Sequence, residues 1–427
     1  MWKDKIAETV TTKKDAYISL LQRIIDVPSV TGEEGAAQQE VRAVFEEMGL
    51  AVDCWEPDDQ ELAAHPAYVP TGESFQGRPC VVGTWKGTGG GKSVLVNGHI
   101  DVVTPEPLSK WSSDPFRSVI REGKLYGRGA ADMKGGLCAA IAAVQVLQEI
   151  GFQPAGDILL ESVPAEENGG NGTVAAVARG YTADAAIYPE PTGCQLQPAH
   201  RGAAFWRIHI DGIASHGGTK YKGVSAVEKG MAIAAALSEL EQWRNDTICS
   251  KHPLYAGYPL SAPVTLGIFQ GGQFTSATPE YCMLEGCIEF VPGEKHEDVV
   301  AQLEGAVQSV VDKDPFLQAH PPRVEWFGLL YDPAETETSH PFVQNMMRSY
   351  QAITGQAPTV NGFEAGTDMR TLRNYLGVPG LMFGPGELKM AHAPNEYVFI
   401  EEYLTAIQVI ALAIADWCGN SDTGKES

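Results

Sequence analysis

The stretch AFWRIHIDG, residues 204–212, alternates apolar and polar side chains, the signature of a strand with one buried face. Downstream, VSAVEKGMAIAAALSELEQW (224–243) has helical spacing, VTLGIFQGG (264–272) and EYCMLEGCIEF (280–290) read as strands, HEDVVAQLEGAVQSVV (296–311) as a helix and RVEWFG (323–328) as a strand. That order, β-α-β-β-α-β, is the split βαβ unit of a ferredoxin-like domain. Upstream the style differs. CVVGTW (80–85), SVLVNGH (93–99), residues 157–163 and 184–188 are buried strands, and a helix spans about 134–150. Its small residues suit close packing on a sheet. After 330 the same α/β style returns, with helices near 340–354 and 400–417. The reading is an α/β domain with a mixed central sheet flanked by helices, in two pieces (1–200 and 331–427), and a ferredoxin-like domain (201–330) inserted between them. Residues 14–27 and 33–48 read as helices; 51–79, with Pro57, Pro66 and Pro70, reads as irregular.

The chain has 427 residues and a net charge of −23, with 31 basic against 54 acidic residues. Such a surface repels phosphate backbones and anionic membranes, so neither nucleic acid nor a membrane is an expected partner. No run of about 18 apolar residues occurs, and MWKDKIAETVTTKKDAY lacks the apolar core of a signal peptide. The 8 cysteines form no CxxC pair and read as free thiols of a reducing, cytoplasmic compartment. WKGTGGGKS (85–93) approaches a phosphate loop, but Lys86 stands where the first glycine is needed and a strand follows where a helix should. It reads as a hairpin turn.

Several short motifs carry chemistry. In NGHIDVV (97–103), His99 and Asp101 share a strand face, a spacing that suits a metal-binding imidazole backed by a carboxylate; a strand-end histidine bonded to a turn aspartate is the plainer alternative. YGRGAADMKGG (126–136) places Asp132 at a strand-to-helix junction, as an N-cap or as a carboxylate offered to metals. PAEENGG (164–170) carries the doublet Glu166–Glu167, which on a strand end would point opposite ways. YPEPT (188–192) holds Glu190 between prolines, ASHGG (214–218) exposes His216 on a glycine turn, and AHAPNEYV (391–398) carries His392. These groups gather at the C-terminal ends of strands, where open α/β sheets bind ligands. Two histidines and three carboxylates without cysteine suit zinc, cobalt or manganese.

In their order, GHIDVV, GRGAADMKGG, PAEENGG, YPEPT, ASHGG and AHAPNEYV resemble the zinc aminoacylase/carboxypeptidase G superfamily, and the overall style is similar to its acetylornithine deacetylase and succinyl-diaminopimelate desuccinylase branch. The resemblance runs over nearly the whole chain. It implies two divalent metal ions, one on His99 and Glu190, the other on Glu167 and His392, with Asp132 bridging both and a cis peptide after it. Asp101 would back His99, and Glu166 would be the general base. The inserted domain would be a dimerisation lid, with His216 reaching into the neighbouring subunit's site as an oxyanion donor. The implied activity is hydrolysis of an N-acyl group from an amino acid or small amine; deformylation of an aminopyrimidine and dipeptidase or carboxypeptidase action are its alternatives.

Two positions depart from the family pattern. CIEFVPGE (287–294) has Glu289 and Phe290 and no arginine where many relatives grip a substrate carboxylate, and GGQFTSATP (271–279) offers Ser276 in place of an asparagine. Arg370, in AGTDMRTL (365–372), is then the expected carboxylate anchor, with a surface salt bridge as its alternative. A non-catalytic binding protein on this scaffold is the reading from another class; it would show a missing ligand, and all five candidate ligands are present.

Overall fold

The structure is a computed structural model, and it describes residues 2–419. Two compact units are present: His200–Ala334 with Glu364–Gly366, and the remainder of the described chain.

The larger unit begins with α1 (Trp2–Ile25) and α2 (Gly35–Glu47). The helix expected from residue 14 starts at Trp2 instead, because Ile6 and Val10 continue the four-residue spacing of Trp2 and are buried; only a bend at Lys13 marks the join. The stretch expected to be irregular contains β1 (Ala51–Trp55), paired antiparallel to β2 (Cys80–Trp85). AVDCW is short and ends two residues before Pro57, so the prolines masked it. Then come β3 (Val94–His99), α3 (Lys134–Glu149), β4 (Ile158–Val163), α4 (Asn171–Ala178) and β5 (Ala186–Tyr188). The glycine-rich 86–93 is a turn leading into β3, not into a helix.

The inserted unit runs β6 (Gly202–Asp211), α5 (Ala226–Thr247), β7 (Val264–Gly271), β8 (Tyr281–Phe290), α6 (His296–Val311) and β9 (Arg323–Tyr331). Its antiparallel sheet has the order β7-β8-β6-β9, the ferredoxin-like arrangement. The alternation of residues 204–212 is realised in β6: Ala204, Trp206, Ile208 and Ile210 join the core with Leu237 of α5 and Leu303 of α6.

The chain returns to the larger unit with α7 (Pro341–Thr354), α8 (Met369–Leu376), β10 (Gly380–Met382) and α9 (Ile400–Cys418). The six strands order as β1-β2-β4-β3-β5-β10, with β4, β3, β5 and β10 parallel and β2 antiparallel to both of its neighbours, β1 and β4. One sheet face (Val81, Val94, Val96, Ile158, Leu160, Ile187) shares a core with α1, α2, α3, α7 and α9. On the other, Cys80 and Val163 pack with Val174 and Ala175 of α4. The sheet is mixed and covered on both faces, as the sequence predicts. Among the described residues, no helix is long and apolar enough to cross a membrane.

Candidate metal centre

The parallel strands β3, β4 and β5 end side by side, and their C-terminal ends supply His99, the turn bearing Glu166 and Glu167, and Glu190. Asp132 precedes α3, and the Asp132–Met133 peptide is cis. His392 comes from a loop, in a left-handed conformation (φ 60°).

Asp132 stands between the two histidines. Its Oδ1 is 3.3 Å from His99 Nε2 and its Oδ2 is 3.6 Å from His392 Nε2. Glu167 Oε2 lies 2.9 Å from His392 Nε2, and Glu166 Oε2 lies 4.0 Å from His99 Nε2. The adjacent glutamates therefore face different imidazoles. A turn separates them, not a strand pleat: Ala165 has φ 63°, and Gly169 N–H donates to Glu166 O at 3.0 Å.

His99 Nδ1 is held by the main-chain oxygen of Asp101 at 2.9 Å, while the Asp101 carboxylate is 3.6 Å away. A carbonyl only accepts, so Nδ1 carries a hydrogen in either charge state, and Nε2 is the ring nitrogen turned toward Asp132 and Glu166, with a lone pair to offer a metal only in the neutral ring. The Asp101 carboxylate instead accepts the main-chain N–H groups of Glu166 (3.0 Å) and Glu167 (3.1 Å).

Burial pushes the Glu166 and Glu190 carboxyls well above the ordinary carboxylate range and Glu167 to about 7. Burial works against a charge on His99 too, but the carboxylates of Asp132, Glu166, Asp101 and Glu190 outweigh it and raise its pKa well above the usual value. Hydrogen bonding to Glu167 raises His392. The pocket thus gathers more carboxyl groups than its two imidazoles can answer, and each resists ionising beside the others. Glu167 Oε1 is buried with no hydrogen-bond partner among the described residues. Ligand atoms of His99, Asp132 and Glu167 lie within 4.8 Å of one another. Those three observations fit a divalent cation, which would neutralise the carboxylates and engage the unpaired oxygen.

Residues 95–416 match peptidase family M20/M25/M40. The chain belongs to that family. It is therefore a metal-dependent hydrolase of amide bonds. N-formyl-4-amino-5-aminomethyl-2-methylpyrimidine deformylase of Bacillus subtilis strain 168 is 29% identical over 436 residues, covering 97% of each chain. A probable succinyl-diaminopimelate desuccinylase of Staphylococcus epidermidis is 28% identical and covers 75% of this chain and 82% of its own. The di-peptidase Dug1p of Saccharomyces cerevisiae shares the fold, with a TM-score of 0.74 at 16% identity over 98% of this chain and 99% of that one.

In this M20 chain two carboxylates that sequence reasoning passed over stand beside the centre. Glu396 is buried and accepts Arg128 Nη1 (2.7 Å) and the N–H groups of Gly129 (3.0 Å), Ala131 (2.8 Å) and Asp132 (3.0 Å), so it moulds the loop that presents Asp132. Its only signal was its place in the PNEY run beside His392. Asp368 accepts Thr173 Oγ1 at 2.6 Å beneath the Glu167–Gly170 turn. Arg370 is 6% exposed, and its Nη2 donates to Gly169 O at 2.5 Å; a surface salt bridge is excluded by its burial.

On the inserted unit, Ser215–His216 pairs with Ala277–Thr278, and Gly217 N–H donates to Ser276 O at 2.7 Å. His216 and Ser276 are thus exposed neighbours on that unit. Glu289, at the place of the missing arginine, accepts Arg201 Nη1 at 2.9 Å.

Proposed function

We propose that this chain is a two-metal deacylase that removes a small N-acyl group from an amine. The observation that carries the reading is Asp132, which turns one oxygen to each histidine and so supports a carboxylate shared by two half-sites. His99 and Glu190 would hold one ion, His392 and Glu167 the other, with Asp132 common to both. The donor set of imidazole and carboxylate supports zinc, with cobalt or manganese as substitutes. The ions, when bound, supply Lewis acidity toward the scissile carbonyl and lower the pKa of water.

Glu166 is the proposed base. It faces His99 from the turn at 4.0 Å, and beside the ions its carboxylate would take a proton from the attacking water and return it to the leaving nitrogen. His216 would donate to the developing oxyanion from a neighbouring subunit. Arg370 and Ser276 are the proposed substrate contacts. The full-length match to a formylaminopyrimidine deformylase, with Glu289 tied to Arg201 where an arginine would grip a carboxylate, supports a formylated amine without a carboxylate over an N-acyl amino acid.

A homodimer is proposed through the inserted unit. β7 is an edge strand of its sheet, and it exposes Leu266, Ile268 and Phe269 at 37%, 45% and 40%. A cytoplasmic location is proposed, supported by 8 cysteines that are all free thiols.

The test is a substrate panel on the metal-reconstituted enzyme: N-formyl aminopyrimidine, N-acetyl and N-succinyl amino acids, and dipeptides. Formate release from the pyrimidine with kcat/KM at least about tenfold above the other substrates is expected. Preference for an N-acyl amino acid would move the assignment to the acetylornithine deacetylase-like reaction. Failure to hydrolyse any of them with metal bound would overturn the deacylase reading.

A further inference from the structure

One carboxylate contacts both glutamates of the doublet. Asp101 Oδ1 accepts Glu166 N–H at 3.0 Å and Oδ2 accepts Glu167 N–H at 3.1 Å. A carboxylate turns in a broad torsional well, so those two bonds alone leave its angle soft. A third partner removes that freedom: the Thr31 hydroxyl donates to Asp101 Oδ2 at 3.0 Å.

Thr31 belongs to the turn between α1 and α2, and that turn is pinned on every side. Thr31 N–H donates to Val102 O (3.1 Å), Val102 N–H to Ser29 O (2.9 Å), and the Ser29 hydroxyl to Ile100 O (2.7 Å). From the helix that follows Asp132, buried Lys134 Nζ donates to Ile24 O (3.1 Å) and Val27 O (2.8 Å). Beyond the turn, Glu34 accepts Gly32 N–H (3.1 Å) and a paired contact from buried Arg78 at 2.6 Å on each oxygen. So rigid a mounting places Thr31 Oγ1 with little freedom of its own.

We propose that Thr31 is a positioning residue of the metal centre. Its hydroxyl sets the Asp101 carboxylate, and Asp101 sets the main chain that aims Glu166 and Glu167. The proposal rests on the reading of Glu167 as a ligand and Glu166 as the base. Thr31 touches neither substrate nor metal in this scheme.

The experiment compares the full-length parent with Thr31→Val, which keeps the shape and loses the donor, Thr31→Ala, which also loses the donor, and Thr31→Ser, which keeps it. Zinc affinity is measured by competition with a chelator, alongside kcat, KM and the thermal midpoint. Thr31→Val is expected to weaken zinc about tenfold, the lower end of what loss of a ligand's outer partner does because Thr31 acts one residue further out through Asp101, and to lower kcat more than it raises KM. Thr31→Ala should behave like Thr31→Val, and Thr31→Ser should stay within about threefold of the parent. Zinc affinity within about twofold of the parent in Thr31→Val or Thr31→Ala would overturn the proposal, and so would a Thr31→Ser as damaged as they are, since that points to packing. Glu167→Gln, run in parallel, separates the two levels. If it loses zinc while Thr31→Val does not, only the present inference falls; if it keeps zinc, the ligand assignment falls and takes this inference with it.

Discussion

Glu166 and Glu167 are neighbours with different surroundings. Glu167 contacts His392 at 2.9 Å and has a buried oxygen without a hydrogen-bond partner among the described residues, whereas Glu166 looks toward His99 at 4.0 Å. The proposed ligand and the proposed base are thereby separated by a single peptide. Glu166→Ala should retain metal at the parent stoichiometry and lose turnover by about 100-fold or more. A fall in kcat of less than about tenfold, by steady-state kinetics on metal-saturated protein, would remove Glu166 from the base position. Glu167→Gln should show the converse, a loss of bound metal by elemental analysis.

At the level of elements, the centre stands on the parallel pair β3 and β4, and that pair carries polar groups through the core. Asn97 is the register partner of Glu161, and its Nδ2 donates to Glu161 Oε2 (3.0 Å) and to Thr173 Oγ1 (2.8 Å). Burial, opposed by the Asn97 hydrogen bond and reinforced by the charge of Asp368, lifts the Glu161 carboxyl to about 7. Its folded pKa lies above the unfolded one, so the folded chain binds the extra proton. That stabilisation is complete below the unfolded carboxyl value and is lost as the pH rises through about 7. Glu161→Gln keeps an acceptor for Asn97 and removes the ionisation. Its urea midpoint should match the parent's near the unfolded carboxyl value and exceed it increasingly toward pH about 8. Midpoints that stay parallel across that range would refute the buried titration.

At the scale of the whole molecule, the proposed lid and the proposed dimer make one prediction. His216 lies on the inserted unit, so a His216→Ala mutant and a Glu166→Ala mutant should each be impaired, and mixing them should restore part of the activity through hybrid dimers. No recovery, with subunit exchange verified by mass spectrometry of tagged chains, would count against a shared site.

The amino-acid order itself determined the α/β and ferredoxin-like layers, because burial periodicity is a local property: β6 alternates and β3 does not, and both fold as they read. It also made the candidate residues conspicuous, since imidazoles and carboxylates beside glycine and proline at strand ends stand out without coordinates. It understated α1, whose first three turns carry too few apolar residues to be read apart from their packing, and it hid β1 among prolines. What only the tertiary structure decided is which groups meet. The Asp101 carboxylate serves the amides of Glu166 and Glu167 rather than the His99 ring, Glu396 encloses the Asp132 loop, and Thr31 reaches Asp101 across 70 residues. Those partners are main-chain amides and a hydroxyl. They leave no pattern in a sequence because every residue but proline has the amide, and only chain folding chooses which of them a buried carboxylate finds.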